Sequence, residues 1–174
     1  MAAYVHMTKL TDELRDEFHD LLERHRKIVL KVASTYAREP ADRADLAQDI
    51  VTQCWRAFPD YDAARVFSTW MYRIALNVAI SFARRSEHRH RDTIPFDDAS
   101  HDVATGSDPE NDERVRALYR CIDALDPFNR ALLILYLDER SQREIAEILG
   151  ITETNVATKI GRLKERLRHD MSEA

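Results

Sequence analysis

Between residues 12 and 37, side chains that can pack inward return at three- and four-residue steps: Phe18, Leu21, Leu22, His25, Ile28, Val29, Val32, Ala33 and Tyr36. That spacing lays one stripe along a helix and predicts an amphipathic α-helix, which Pro40 is expected to end. A second helix is predicted from about Ala41 to Phe58. Its inward face is Leu46, Ile50, Val51, Cys54 and Phe58, and Pro59 is its stop. Asp45, Gln48, Asp49 and Thr52 recur on a different face of the same helix, available to solvent or a partner. A short loop, Asp60 to Ser68, leads to a third helix over about Thr69–Arg85, with Trp70, Ile74, Val78 and Phe82 at the expected core-facing steps. Three helices with short connections predict a compact bundle.

The periodicity then stops. RRSEHRHRDTIPFDDASHDVATGSDPENDE is polar, charged and rich in turn formers, which predicts a flexible linker. Helical spacing resumes at Val115, Leu118, Tyr119, Ile122 and Leu125. Asp126 offers an N-cap with Pro127 at the first helical position, opening a strongly apolar helix to Leu137 that carries Leu132, Leu133, Leu135 and Tyr136. Ser141 and Glu144 have capping-box spacing at the start of a helix to Leu149, Gly150 supplies a turn, and a last helix is predicted over about Glu153–Asp170. Nothing reads as a strand, so the predicted class is all-α: two small helical domains joined by an acidic flexible linker.

Composition narrows the class. Hydrophobic residues are 44% and charged residues 33% of 174, with three Gly and five Pro, the balance of a water-exposed helical chain. No apolar run approaches the roughly 18 residues of a membrane helix, and MAAYVHMTKLTDEL has no basic start followed by an apolar core, so neither a membrane segment nor a secretion signal is expected. Cys54 and Cys121 stand far apart and neither belongs to a CxxC pair, which argues against a disulfide framework or a zinc knuckle and makes the cytoplasm the expected compartment. His88, His90 and His101 lack an accompanying carboxylate or thiol constellation, so no metal, cofactor or catalytic centre is expected.

Charge is unevenly placed. Asp92 to Glu113 holds eight acids and no Lys or Arg, so a net charge of -5 leaves +3 on the rest of the chain. Two mildly basic flanks therefore surround an acidic strip, and the flanks say more about partners than the total does.

The most basic element is the last helix. A helix-turn-helix needs a small residue where its helices cross, a Gly in the turn and a branched apolar residue locking the second helix. Ala146, Gly150 and Val156 occupy those places, with Ile145, Leu149, Ile151, Ile160 and Leu163 as support. The outward face presents Thr154, Asn155, Thr158, Lys159 and Arg162, then Lys164, Arg166 and Arg168. Amides, hydroxyls and cations on an exposed helix suit major-groove reading and phosphate docking. The third predicted helix adds a second signal. FSTWMYRIALNVAISFARR sets Phe67, Trp70 and Tyr72 beside Arg73, Asn77, Arg84 and Arg85, where rings can stack on unpaired bases and Arg can hold the backbone. A stand-alone helix-turn-helix regulator would use the tail alone, but no dimer surface or effector pocket is recognisable.

Taken together, these segments resemble the extracytoplasmic-function group of bacterial sigma factors, within the sigma-70 family of RNA polymerase. DLAQDIVTQCWRAF (45–58) resembles the region-two helix that grips the polymerase clamp, and FSTWMYRIALN (67–77) the part that melts and reads the -10 element. LDPFNRALLILYLDERSQREIAEILGIT (125–152) and the helix after it resemble region four, the reader of the -35 element. The resemblance implies domains at 1–91 and 113–174, with 92–112 as the acidic linker, and a non-enzymatic initiation factor that needs no cofactor. Its partners would be core RNA polymerase, through the clamp helices and flap, and promoter DNA. By the same resemblance, Asp45, Gln48, Asp49 and Arg56 would face the clamp. The loop containing Asp60, Tyr61, Phe67 and Ser68 would pocket a flipped -10 base. Trp70, Arg73, Asn77, Arg84 and Arg85 would hold the melted strand, and Thr154, Asn155, Thr158, Lys159, Arg162, Lys164 and Arg166 would meet the -35 element. Members of the group are commonly held by an anti-sigma factor, although no residue of this chain identifies one. Ala157 stands where the family usually has Lys or Arg, and Gly161 weakens the helix, which together imply fewer base contacts. Arg43 and Ala44 replace a more acidic pattern, implying retuned clamp contacts.

Overall fold

The computed structural model describes residues 2–91 and 120–172, with side chains over 12–86 and 120–170. Residues 92–113 of the predicted linker lie outside the described residues, as do Val115, Leu118 and Tyr119 and the side chains of His88, His90 and His101; its first residues, 84–91, are not a flexible segment but continue the third helix. Every regular element among the described residues is helical, as the periodicity predicts. The chain forms two compact units, Met1–Ala79 and Ile80–Ala174, and the division falls inside one helix.

The first unit begins with α1 (Ala2–Tyr36), which starts ten residues before the expected position. It ends at Tyr36, before Pro40. Pro40 does not stop α1; it opens α2 (Pro40–Ala57) at the first helical position, with Glu39 extended at ψ 136 as N-cap. Proline lacks the N–H that a first-turn residue cannot use, and its fixed φ suits the turn. The side chain of Arg43 reaches back to donate to the Arg38 carbonyl at 2.9 Å, so this departure from the family pattern satisfies a carbonyl just past the end of α1.

Leu46, Ile50, Cys54 and Phe58 are buried as expected, while Val51 is only half-buried. Burial pushes the Cys54 thiol up to about 12, so it is an inert packing group, and both cysteines are free. A 3-10 turn, Phe58–Asp60, follows α2 and uses Pro59 within it.

α3 (Phe67–Arg91) is longer than predicted, and its buried stripe is rotated from the expected one. Met71, Tyr72, Ala75, Leu76 and Ala79 are buried, whereas Trp70, Ile74 and Val78 are half-buried; Phe82 is buried as expected. The buried stripe mixes the large Met71, Tyr72 and Leu76 with the small Ala75 and Ala79, and Trp70, Ile74 and Val78 flank it. α1 contributes Phe18, Ile28, Val29, Val32, Ala33 and Tyr36 to the core.

The second unit is organised around α4 (Pro127–Leu137), α5 (Gln142–Leu149) and α6 (Glu153–Ser172). The Asp126 carboxylate accepts from the backbone N–H groups of Phe128 and Asn129, both at 3.0 Å, confirming the expected cap. Leu132 and Leu135 are fully buried, each contributing roughly 2 kcal/mol of transfer free energy. The helical turn at 120–123 ends in carbonyls that two arginines satisfy. Arg130 donates to Asp123 and Leu125, at 3.0 and 3.1 Å, and Arg166 donates from α6 to Ala124 at 3.2 Å.

Candidate nucleic-acid interface

On α2 the exposed side chains of Asp45, Gln48, Asp49 and Arg56 fall on the face away from Leu46, Ile50 and Cys54. The loop after the 3-10 turn is internally braced. Tyr61 Oη donates to the Arg65 carbonyl at 2.6 Å, and Asp62 Oδ1 accepts from the Ala64 N–H at 2.9 Å. The Arg65 N–H closes the turn on the Asp62 carbonyl at 2.9 Å. The Tyr61 ring stacks on Phe58 at 5.8 Å and lies 5.0 Å from Trp70 and 5.4 Å from Phe67. Phe58 in turn contacts Phe18 at 5.1 Å, and Phe67 lies 5.3 Å from the His25 ring. Burial first, then the neighbouring carboxylates of Asp62 and Glu17, raise the Tyr61 phenol above its ordinary 10, so it stays a donor at neutral pH.

This arrangement separates the expected -10 residues. Phe67 and Ser68 are buried, whereas Asp60 is exposed and Tyr61 and Trp70 are half-buried. Arg73, Asn77, Arg84 and Arg85 are exposed along α3. Sequence reasoning missed Val66, an apolar residue 64% exposed at the foot of α3.

In the second unit, α5 and α6 form the expected helix-turn-helix. Ser141 Oγ accepts from the Glu144 N–H at 3.2 Å while Glu144 Oε2 accepts from the Ser141 N–H at 3.0 Å, the full capping box. The Ser141 backbone N–H, then its hydroxyl, hold the Glu144 carboxyl below its ordinary value; burial opposes them and Arg140, 3.1 Å away, assists. Gly150 ends α5 with φ 67, in the left-handed region where a side chain would be strained. Thr152 Oγ1 then accepts from the Asn155 N–H at 3.2 Å and caps α6. Val156 is fully buried and Ala146, Ile145, Ile160 and Leu163 are buried, while Leu149 and Ile151 are half-buried.

Thr154, Asn155, Thr158, Arg162, Lys164 and Arg166 are exposed and Lys159 is half-buried. Several of them also serve the fold. Thr158 donates its hydroxyl to the Thr154 carbonyl at 2.9 Å, Lys159 sits over the Phe128 ring at 5.3 Å and Lys164 over Tyr136 at 5.1 Å. Lys159, Arg162 and Arg166, together with Leu163 and with Asn129 from α4, line a cavity of about 180 Å³. Asn129 escaped the sequence reading because it lies some thirty residues from the helix it faces, and no periodicity links the two.

Comparison with known proteins gives this geometry its family. Residues 21–89 match the model of Sigma-70 region 2, and residues 115–167 that of Sigma-70, region 4. The chain belongs to the extracytoplasmic-function group of the sigma-70 family. It is 28% identical to the ECF RNA polymerase sigma factor SigW of Bacillus subtilis over 90% of each chain. It is 28% identical to the ECF RNA polymerase sigma-E factor of Escherichia coli over 86% of this chain and 84% of that one. The sigma factor RpoE of Bartonella quintana, solved in complex with the anti-sigma factor NepR, shares the fold with a TM-score of 0.72 at 18% identity, covering 90% of this chain and 97% of that one. Sigma factors of this family bind core RNA polymerase and promoter DNA. No helix among the described residues is long and apolar enough to cross a membrane.

Proposed function

We propose that this chain is a promoter-specificity subunit: it binds core RNA polymerase, opens the -10 element with its first unit and reads the -35 element with α6. The outward acid and amide row of α2, Asp45, Gln48 and Asp49, together with Arg56, docks on the clamp helices, and the second unit meets the flap. The loop from Asp60 to Ser68 receives a flipped base, and Arg73, Asn77, Arg84 and Arg85 hold the separated strand. Functional limits at 1–91 and 113–174 with a tether between them fit this division of labour. An anti-sigma factor is the expected inhibitor, as the neighbour solved with NepR suggests. RNA synthesis itself belongs to the polymerase.

The observation that carries the reading is the pairing, in one chain, of a match to region 2 with a match to region 4 whose last helix is capped, basic and exposed. Phosphate contacts supply salt-sensitive, sequence-blind affinity, and a charge of +3 outside the acidic strip supplies little of it. Tight promoter binding therefore needs the polymerase as a second anchor. Reconstitution with core polymerase should give run-off transcripts whose sequenced 5′ ends share upstream elements. Absence of product across a genomic template library would refute the assignment.

A further inference from the structure

We propose that Arg43 is a positioning residue for polymerase capture: it pins the first turn of α2 to the end of α1 and so holds Asp45 in the clamp-facing row. The proposal rests on the reading that Asp45, Gln48 and Asp49 dock on the clamp. It gives the cation that departs from the acidic family pattern a role inside the protein, in place of a retuned contact with the polymerase.

A corner between two helices needs partners for the carbonyls that end the first and the N–H groups that start the second. Ala37, Arg38 and Glu39 make this corner, and none is the glycine that commonly ends a helix. The last turn of α1 holds no basic residue, and the Glu39 side chain makes no capping bond to α2. Pro40 suits its position but has no N–H to give.

Arg43 supplies what the corner lacks. Its Nη2 donates to the Arg38 carbonyl at 2.9 Å, and its Nε makes a longer contact of 3.5 Å with the Ala37 carbonyl. Its own backbone N–H closes the first turn of α2 on the Glu39 carbonyl at 2.9 Å. One residue thus holds both sides of the corner, and its cation lies by the negative end of α1, where the helix dipole favours it. Ala37 is buried and its N–H is bonded to the Ala33 carbonyl at 2.9 Å, so the fork grips a fixed point.

Asp45 lies one turn into α2, while Gln48 and Asp49 lie deeper. Helix ends fray first, so loosening the corner reaches Asp45 before the other two. Two roles for Arg43 then have opposite signs. A cation that only adds charge beside an acidic row opposes docking on a cationic surface, and removing it strengthens capture. A cation that holds the row in place favours docking, and removing it weakens capture. The bonds of the fork to backbone carbonyls assign Arg43 to the second role.

The test measures capture of core polymerase by the full chain and its variants, at a temperature where melting curves show each to be folded. Arg43→Gln should weaken capture about fivefold, the worth of one net hydrogen bond. Arg43→Glu, which moves the site back toward the family pattern, should weaken it at least as much. Arg43→Lys keeps a cationic donor and should recover most of the loss. In a chain already carrying Asp45→Asn, Arg43→Gln should cost little more, because it acts through Asp45; in a chain carrying Asp49→Asn its cost should persist. Amide hydrogen exchange should quicken over 42–45 and not over 50–54. Capture that is unchanged or tighter in Arg43→Gln would overturn the proposal, as would an equal loss in the Asp45→Asn chain, and both results leave docking by α2 standing. Capture indifferent to Asp45→Asn and to Asp49→Lys would overturn the docking reading and this proposal with it.

Discussion

The phenol of Tyr61 donates to the carbonyl of Arg65 across a span of four residues, closing the loop that precedes α3 while its ring packs on Phe58 and Trp70. One side chain thus joins the loop to the aromatic core. Tyr61→Phe keeps the ring and deletes the clasp. The net loss in folding stability should stay near 1 kcal/mol, the usual worth of such a bond. If the loop holds a flipped base, permanganate reactivity of promoter thymines should fall several-fold in complexes made with this variant. Unchanged reactivity would remove the clasp from promoter opening.

The capping box of α5 makes a pH-dependent contribution of known sign. Glu144 is held below its ordinary value of 4.5 in the folded chain, so its stabilising share is complete above that value and is lost as pH falls through the lower, folded one. The stability difference between wild type and Glu144→Gln should be constant from pH 7 to about pH 5 and shrink below it. Ser141→Ala should cost about 1 kcal/mol at neutral pH. Urea melts at several pH values check both, and a difference that grows on acidification would contradict the assignment.

What could be read from the residues alone follows the strength of local signals. Asp126 with Pro127, Ser141 with Glu144, and Gly150 each act within a few residues, and each was recognisable at its position. Pro40 lies inside α2 and not before it, because a proline that cannot continue a helix is well suited to begin one. The buried stripe of α3 is displaced from the expected one because Trp70, Ile74 and Val78 carry more hydrophobic weight than Ala75 and Ala79, which are buried beside Met71, Tyr72 and Leu76. The cavity beside Asn129 was invisible, since it exists only once α4 and α6 pack together. The burial of Phe67 and Ser68 likewise depends on tertiary packing around Phe58 and His25.

Gly161 interrupts α6 for no reason internal to the fold. A Cβ placed there meets nothing within 4 Å, and its backbone is helical. Gly161→Ala should therefore stabilise the chain by about 1 kcal/mol. A denaturation midpoint that rises with an unchanged slope would show this, because the slope tracks the surface exposed on unfolding. No gain would mean that residue 161 is not helical in solution.

Asp49 tests the other partner. It is exposed on α2 beside Asp45 and Gln48, while Leu46, Ile50 and Cys54 carry the buried face, so reversing its charge leaves the core untouched. Asp49→Lys should keep the melting temperature of the free chain close to wild type. If this row docks on a cationic part of the clamp, capture of core polymerase should weaken at least tenfold, about 1.4 kcal/mol or more, because a matched pair becomes a like-charge contact. The loss should be greatest at low salt, where exposed charges are least screened. Co-purification of core polymerase with the variant at the wild-type level, across that salt range, would place the polymerase contact on another face of the first unit.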